Sequence, residues 1–377
     1  MSHSSPSTWL IVGAGLVGLS LAYGLARRGV RVTLLDAGEG EPRAAQGNFG
    51  LVWGQGKGLG MSAYADLSLD ACADWRPFAE ELGARSGVDV GYRGGGGVDL
   101  CLDHTEAEIR REEYAVATRA RPDYAARLGV EFLDNRQLAE CLPGIGGEIP
   151  LGSWSPHDGA CDPLALVQAL HLACLSLGVE YRPGWRASRI DALASGFEAR
   201  SVEGLCARGE RLLLAAGLDT ARLGAPLGLG APLSAVRGQL MVTERIALAP
   251  RLPTPQVRQT RHGGFLCGET HERVGRNLDT TPSMLTAIAR DSLRIYPFLS
   301  AARVVRAWAA LRVMTPDGCP VYHASARYPG AYAVSCHSGV TLASVHAGRL
   351  AGALLDDRLE TDFAAFSAAR FAPAVTA

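Results

Sequence analysis

The chain has 377 residues, of which 47% are hydrophobic, enough for a large core in one domain or in two interleaved domains. Its net charge is −1, from 38 acidic and 37 basic residues, and this balance excludes the extended basic surface of a protein that binds nucleic acid or anionic lipid. Nine cysteines without a C-x-x-C pair, and no apolar run of ~20 residues, predict a cytoplasmic protein with reduced thiols, no metal site and no membrane span.

The first predicted elements are a strand, a helix and a second strand. Residues 9–12 are an apolar run typical of a buried parallel strand, residues 16–28 predict a helix that Gly29 ends, and residues 30–35 predict the next strand. The turn after the first strand has the spacing G-x-G-x-x-G, and an aspartate closes the second strand. This arrangement is typical of a dinucleotide-binding site.

Each residue type in this unit has a physical role. The first glycine permits a sharp turn, the second lets the backbone approach a pyrophosphate, and the third lets the helix pack close to the strand. The helix start presents unpaired N–H groups to the phosphates, and the aspartate can bond a ribose hydroxyl. The expected nucleotide contacts are Gly13, Gly15, Leu16, Val17, Gly18, Asp36 and Ala37. The motif occurs once and does not by itself distinguish FAD from NAD.

The remaining predicted elements alternate between helices and strands. They are, in chain order, a helix from Asp162 and Pro163 to residue 177, a strand within 178–190 around Arg186 and Ala187, a strand ending in Ala215, Ala216 and Gly217, a strand at 235–244, a hairpin over 256–272 that turns at Gly263 and Gly264, an apolar run 307–311 before Arg312, and a glycine-containing loop before a helix at 341–355.

Five segments of the chain resemble the FAD-dependent glycine/D-amino-acid oxidase family. Within that family they resemble the flavin subunits of the D-hydroxyproline dehydrogenase, opine oxidase and hydrogen cyanide synthase type. The segments are RAAQGNFGLV at 43–52, LLLAAGLDT at 212–220, AVRGQLMVTE at 235–244, AWAALRVMTPDGCPVY at 307–322 and SCHSGVTLASVHAG at 335–348. The resemblance covers nearly the whole chain. It departs from the family pattern at Asp219, where an aromatic residue is usual, and at Ala310, where a glycine is usual.

The resemblance implies an α/β fold with a discontinuous, Rossmann-type FAD-binding domain over residues 1–85, 152–223 and 305–377. A mixed-sheet substrate domain over 86–151 and 224–304 is interleaved with it. FAD is the implied cofactor. The resemblance adds these cofactor contacts: Gln46, Asn48, Phe49, Gly50, Ala187, Ala216, Gly217, His337, Ser338, Gly339, Val340 and Thr341.

The resemblance also implies catalytic residues. Arg312 matches the family's substrate-carboxylate arginine, a natural bidentate clamp, and the alternative is a structural salt bridge. His337 either touches the flavin or the substrate, or bonds the backbone of its own loop. Tyr64 and Tyr322 are further candidate substrate contacts. Where simple glycine oxidases carry a tyrosine, this chain has Gln256, Arg258 and Gln259, so plain glycine is not the expected substrate and Arg258 is a second candidate anion-binding group.

Lys57 is the only lysine in the chain, within WGQGKGLGMSAY, so the other basic residues are all arginines. Burial readily lowers the pKa of a lysine, which makes it a compact charge or a base. We interpret Lys57 either as a group at the flavin or substrate entrance that assists binding or charge, or as a solvated loop residue. No role comes to it from the resemblance.

The implied reaction is oxidation of a D-amino or imino acid by hydride transfer to flavin N5, giving an imine. D-hydroxyproline and D-proline are the favoured substrates, and an opine, glycine or an N-methyl amino acid is the alternative. The oxygen-activating lysine of some flavin amine oxidases has no counterpart here, which favours partner subunits as electron acceptors. An NAD-dependent dehydrogenase and a non-catalytic FAD-bearing subunit stay open as other classes.

Overall fold

The computed structural model describes residues 8–38, 43–248 and 250–371. The strands are β1 Thr8–Val12, β2 Arg31–Leu35, β3 Leu51–Val52, β4 Arg93–Gly94, β5 Gly97–Cys101, β6 Glu131–Asp134, β7 Leu151–Ser155, β8 Gly159–Ala160, β9 Glu180–Arg182, β10 Ala187–Ala192, β11 Phe197–Ser201, β12 Cys206–Gly209, β13 Arg211–Leu214, β14 Ser234–Arg245, β15 Val257–Gln259, β16 Gly264–Cys267, β17 Val304–Met314, β18 Val321–Ala324 and β19 Ala331–Ser335.

The α-helices are α1 Leu16–Ala26, α2 Ser62–Ser86, α3 His104–Ala120, α4 Pro122–Leu128, α5 Asn135–Cys141, α6 Pro163–Ser176, α7 Thr220–Gly224, α8 Pro282–Ile295, α9 Ala343–Val345, α10 Ala351–Leu355 and α11 Leu359–Asp362. A π-helical segment, His346–Leu350, joins α9 to α10 without a break. Short 3-10 helices are Ala44–Gly47, Gly217–Asp219, Ala225–Leu227, Pro297–Ala301, Ala364–Phe366 and Ala368–Phe371.

A six-stranded sheet in the order β18-β19-β13-β1-β2-β9 forms the nucleotide-binding part, and only β18 within it is antiparallel to its neighbour. β1 is buried on both faces because its side chains alternate between two apolar clusters. Trp9 and Ile11 pack with α1, α2, α6 and the continuous C-terminal helix formed by α9, the π-helical segment and α10. Leu10 and Val12 pack with the three-stranded sheet β10-β11-β12. The predicted parallel strands at the N-terminus are therefore confirmed.

The two helices that pack beside β1 follow local sequence signals. α1 ends at Ala26, two residues before the predicted end, and Gly29 follows in the left-handed region at φ +81°. α6 begins as predicted, because the Asp162 carboxylate accepts hydrogen bonds from the N–H groups of Leu164 and Ala165 and Pro163 takes the first helical position.

A second, antiparallel sheet has the order β15-β16-β14-β17. Its longest strands, β14 and the edge strand β17, pair with each other and span 12 and 11 residues, and α8 packs on the face that carries Met241 and Phe265. β15 and β16 form the predicted hairpin, with Gly263 at φ +90° in its turn. Two smaller sheets, β5-β7-β6 and β3-β8-β4, complete the architecture, and the predicted α/β class is confirmed.

No helix among the described residues has the length and apolar character that a membrane crossing requires. No group of three or more His, Cys, Asp or Glu side chains within residues 8–38, 43–248 and 250–371 is arranged to hold a metal ion. The predicted domain boundaries stay a prediction.

A buried ion pair fixes the segment that follows β16 against β14. Arg237 of β14 bonds Glu272 at 2.7 Å, and the same carboxylate accepts hydrogen bonds from Gln239 Nε2 and Thr270 Oγ1, each at 2.8 Å. The Arg237 hydrogen bond is the largest cause that lowers the pKa of Glu272 from its ordinary value of 4.5 to about 2. This segment also carries Glu269, which matters for the site below.

The depressed pKa predicts a pH-dependent contribution to stability. The contribution is full above pH 4.5 and is lost as the pH falls through about 2, because protonation removes the ion pair. Each pKa unit corresponds to about 1.4 kcal/mol, and water screens the partly exposed carboxylate, so the contribution is smaller than the ~3.5 kcal/mol that the full lowering of the pKa would give. In urea unfolding, Glu272→Gln should be less stable than the wild type at pH 7, and the gap should shrink steadily between pH 4.5 and 2.5. A gap that stays constant with pH would contradict this assignment.

Candidate active site

The turn between β1 and α1 has the geometry that its three glycines predict. Gly13 adopts φ +104°, and a Cβ there would lie 2.4 Å from the Ala215 carbonyl oxygen. A Cβ on Gly18 would lie 1.8 Å from the Gly13 carbonyl oxygen, so α1 packs directly on the turn. A Cβ on Gly15 would meet no atom within 4 Å, because this glycine faces open space. That space is a cavity of ≈ 380 Å³, here called the first cavity.

The first cavity brings together residues from the whole length of the chain. Twelve of the predicted cofactor contacts line it: Gly13, Gly15, Leu16, Val17, Asp36, Ala37, Asn48, Ala187, Ala216, Gly217, His337 and Gly339. They come from the glycine turn, the end of β2, the segment after Ala44–Gly47, the start of β10, the end of β13 and the loop after β19. The cavity therefore joins the glycine turn to the loop that carries His337.

Three charged residues in the wall were not predicted from the sequence. Arg43 donates to Asp36 at 2.6 Å, and Arg276 donates to Asp219 at 2.8 Å within the cavity wall. Asp219 stands where the family usually has an aromatic residue, so an ion pair takes the place of a ring. Arg43 had a sequence signal, namely its position shortly after the ribose-binding aspartate. Arg276 had none, because it is 57 residues from its partner Asp219.

Asp36 stabilises the turn as well as lining the first cavity. One carboxylate oxygen accepts from the Ala14 N–H at 2.7 Å, and the other accepts from the Gly38 N–H at 2.8 Å and from Arg43. A carboxylate has about four acceptor sites. One site therefore stays available for the ribose hydroxyl that the sequence predicts as its partner.

The segment 46–50 shapes the site by its backbone more than by its side chains. Asn48 lines the first cavity, and its Oδ1 accepts from the Gly50 N–H at 2.7 Å, which stabilises the turn at φ +74°. Phe49 packs with Leu240 and Leu266 in the second sheet and does not line the cavity. The direct contact predicted for Phe49 is corrected accordingly. Gln46 lines a different, second cavity of ≈ 460 Å³.

The C-terminal loop, residues 336–342 between β19 and α9, forms one end of the first cavity. Cys336, His337 and Gly339 line the cavity, whereas Ser338, Val340 and Thr341 are buried behind it. Trp75 of α2 fixes the loop, because its indole N–H donates to the carbonyls of Val340 and Thr341. The predicted contacts of these last three residues with the cofactor are thus indirect.

His337 is a neutral imidazole at physiological pH. Burial, and after it the positive charges of Lys57 and Arg312, lower its pKa to about 3. Its Nε2 lies 3.3 Å from Ser338 Oγ, and it also bonds the backbone of Gly318. His337 thus bonds backbone and also lines the first cavity, and its contact with the flavin or the substrate stays a prediction.

Lys57 and Tyr64 lie behind the C-terminal loop and not at an entrance. The Lys57 ammonium donates to Ser338 Oγ at 2.6 Å and to Thr341 Oγ1 at 3.3 Å, and burial lowers the pKa of the lysine. The Tyr64 hydroxyl is buried 2.6 Å from the same Ser338 oxygen. Lys57 is therefore not a solvated loop residue, and the predicted contact of Tyr64 with substrate is wrong because its hydroxyl faces the loop.

Arg312, near the end of β17, is ion-paired. One guanidinium nitrogen bonds the Glu269 carboxylate, and the other donates to the Thr270 carbonyl at 2.8 Å. His271 lies 3.6 Å from the other Glu269 oxygen. The two neighbours of Arg312 in β17, Leu311 and Val313, line the first cavity, so this cluster lies beside the cavity wall. The salt bridge that the sequence left as an alternative is therefore formed at the place predicted for the clamp.

Tyr322 and Arg258, two further candidate contacts, do not line the first cavity. Tyr322 is buried in the core, where its hydroxyl bonds His346 Nε2 at 2.9 Å, so the predicted substrate contact is wrong. His346 packs there as well, and burial lowers its pKa to about 3. Arg258 lines the second cavity, which shares Asn48 and Ala45 with the first.

Comparison with known proteins agrees with this geometry. Residues 8–354 match the family model described as FAD dependent oxidoreductase, which is most of the chain. The chain belongs to this family. It is 38% identical over 364 residues to one of the opine oxidase subunits of Rhizobium meliloti, covering 96% of each chain. It is 26% identical to the hydrogen cyanide synthase subunit HcnC of Pseudomonas aeruginosa, covering 97% of this chain and 96% of that one.

The fold of this FAD-dependent oxidoreductase also matches solved structures. The crystal structure of glycine oxidase from Geobacillus kaustophilus superposes with a TM-score of 0.87 at 23% identity, covering 97% of this chain and 100% of that chain. The residues that line the first cavity fit the chemical groups of FAD. Gly15 leaves room for the pyrophosphate, Asp36 has an acceptor site for the ribose, and the C-terminal loop closes the far end where the ring would lie.

Proposed function

We propose that this FAD-dependent oxidoreductase is the flavin subunit of an opine-oxidase-type enzyme, which oxidises the C–N bond of a secondary amine that carries a carboxylate. The observation that carries the proposal is the position of Arg312. Arg312 lies in β17 between Leu311 and Val313, both of which line the first cavity. A guanidinium at this place is suited to hold a substrate carboxylate by two parallel hydrogen bonds.

The reaction needs orientation more than it needs acid–base side chains. FAD, when bound, supplies the hydride acceptor. Arg312 exchanges Glu269 for the substrate carboxylate and so fixes the carbon whose hydrogen leaves as hydride. The amine nitrogen binds without its extra proton and gives its lone pair to the new C=N bond, and water then splits this imine into an oxo acid and a free amine. Positioning of this kind accounts for a large share of enzymatic rate enhancement.

The choice of substrate class rests on relatives and on the pocket residues. Two proteins that are named as subunits of opine oxidases are each 38% identical to this chain over 96% of its length. The hairpin strand β15 has no tyrosine, unlike the pattern expected of simple glycine oxidases. The printed names of these relatives also support partner subunits, and we propose that such subunits accept the electrons in the cytoplasm.

The proposal is tested by anaerobic visible spectra of the purified chain with a panel of amines. Opines should bleach the oxidised flavin band, while glycine and free L-amino acids should leave it unchanged. Bleaching by D-hydroxyproline or D-proline instead would contradict the opine assignment and support the cyclic imino acids that the sequence favours. A yellow protein that no panel member reduces, even with its partner subunits added, would also overturn the proposal. Readmitted air then tests the acceptor, because slow recolouring is expected of a dehydrogenase.

A further inference from the structure

Lys57 has surroundings unlike those of the ion-paired arginines among the described residues. Many arginines of the described residues form ion pairs with carboxylates, as Arg312 does with Glu269. Lys57 forms none within that part of the chain, and the acceptors of its ammonium are the hydroxyls of Ser338 and Thr341. The nearby acid, Asp158, already accepts from the Gly54 N–H at 2.6 Å and from Gln55 Nε2 at 2.7 Å. A protonated Lys57 therefore has no direct counter-ion among the described residues.

Such an arrangement is costly for the folded protein. Removing an ammonium from water without pairing it to a carboxylate costs free energy, and burial accordingly lowers the pKa of Lys57. A neutral donor of similar length would satisfy the Ser338 hydroxyl at a lower cost. The hydrogen bonds alone therefore do not explain a lysine at this position.

The position of the charge indicates what it acts on. Ser338, its partner, stands between His337 and Gly339, and both of these residues line the first cavity. Lys57 thus lies directly behind the loop that closes one end of the cavity, and Tyr64 and Trp75 of α2 pack against the same side of that loop. A charge behind this loop acts on a group bound in the cavity more strongly than it would in water, because bound groups exclude water from such a site.

We propose that Lys57 is a fixed positive charge that raises the electron affinity of the flavin bound in the first cavity, acting from behind the C-terminal loop. The charge favours the reduced flavin, which carries more negative charge than the oxidised flavin. Lys57 is a positioning and electrostatic residue and touches neither substrate nor cofactor. The proposal rests on FAD binding in the first cavity and not on the opine assignment.

Three substitutions separate charge from hydrogen bonding. Lys57→Met removes both, Lys57→Gln keeps an N–H donor for Ser338 without the charge, and Lys57→Arg keeps the charge. The readouts are the midpoint reduction potential and the dissociation constant of sulfite, which adds to electron-poor flavins. Neither readout uses the amine substrate, so the result stands even if the opine assignment fails.

We expect Lys57→Met and Lys57→Gln to shift the midpoint potential to more negative values and to weaken sulfite binding by about tenfold or more. Lys57→Arg should stay within about threefold of the wild type for sulfite. Arg349→Met, which removes an exposed cation paired with Asp70, is the control and should leave both readouts unchanged. If Lys57→Gln restores the wild-type values, hydrogen bonding is the role and the proposal fails. Loss of FAD from both neutral variants with an unchanged melting temperature would also overturn it.

Discussion

Replacing Arg312 with leucine is expected to yield a protein that stays yellow and that its amine substrate no longer reduces. The side chain supplies the two parallel hydrogen bonds that hold a carboxylate, and leucine removes them together with the charge. Loss of one partner from such a pair typically costs about 2–5 kcal/mol, so the second-order rate of flavin reduction should fall by at least about 30-fold. Stopped-flow reduction under anaerobic conditions measures this rate directly.

Glu269→Gln is the matched control, because it weakens the ion pair of Arg312 from the other side. The substrate carboxylate then competes with a neutral amide, and its apparent dissociation constant should fall by about threefold. The two variants therefore move substrate binding in opposite directions. If Arg312→Leu lowers only the melting temperature and leaves reduction intact, Arg312 is a structural residue and the clamp assignment is wrong.

Substitution of Gly15 by valine should separate cofactor binding from folding. Gly15 has extended backbone angles, φ −74° and ψ −177°, which valine adopts readily, and a Cβ there meets no protein atom within 4 Å. The valine side chain instead enters the first cavity, where the pyrophosphate needs close backbone approach. We expect a colourless apoprotein whose melting temperature equals that of wild-type apoprotein.

Gly18→Val is the comparison variant and should fail at the level of the fold. Its Cβ would lie 1.8 Å from the Gly13 carbonyl oxygen, a backbone atom that moves only if α1 moves away from β1. Overpacking of this kind costs about 1–3 kcal/mol or more. Absorbance at the flavin band and thermal unfolding of both apoproteins distinguish the two cases. A Gly15→Val protein that retains FAD would contradict the assignment of the first cavity.

The parts of the molecule that could be predicted from the sequence depend on short-range signals. The glycine turn, the Asp162 cap of α6 and the hairpin at Gly263 follow from residues within a few positions of one another. The buried strand β1 follows from its apolar run. Local chemistry is sufficient in these cases because the turn or cap is closed by neighbours in the chain.

The positions that could not be predicted depend on packing between distant segments. Lys57 meets Ser338 across 281 positions, and Tyr322 turns into the core toward His346 because of how β18 packs on the C-terminal helix. The pair of Arg276 with Asp219 likewise joins two loops. Hydrophobic periodicity and motif spacing carry no information on contacts between distant segments. Tyr322 as a substrate contact and Lys57 as an entrance residue were therefore both misplaced.

The order of the central sheet has a consequence for how the protein is made. β1 lies beside β13, with Trp9 opposite Arg211, and the walls of the first cavity extend from Val12 to Gly339. A growing polypeptide on the ribosome therefore exposes the glycine turn long before the C-terminal loop emerges to close the site. The walls of the first cavity are all present only once Gly339 has been synthesised. Bound flavin can therefore stabilise only polypeptides that already contain the C-terminal loop.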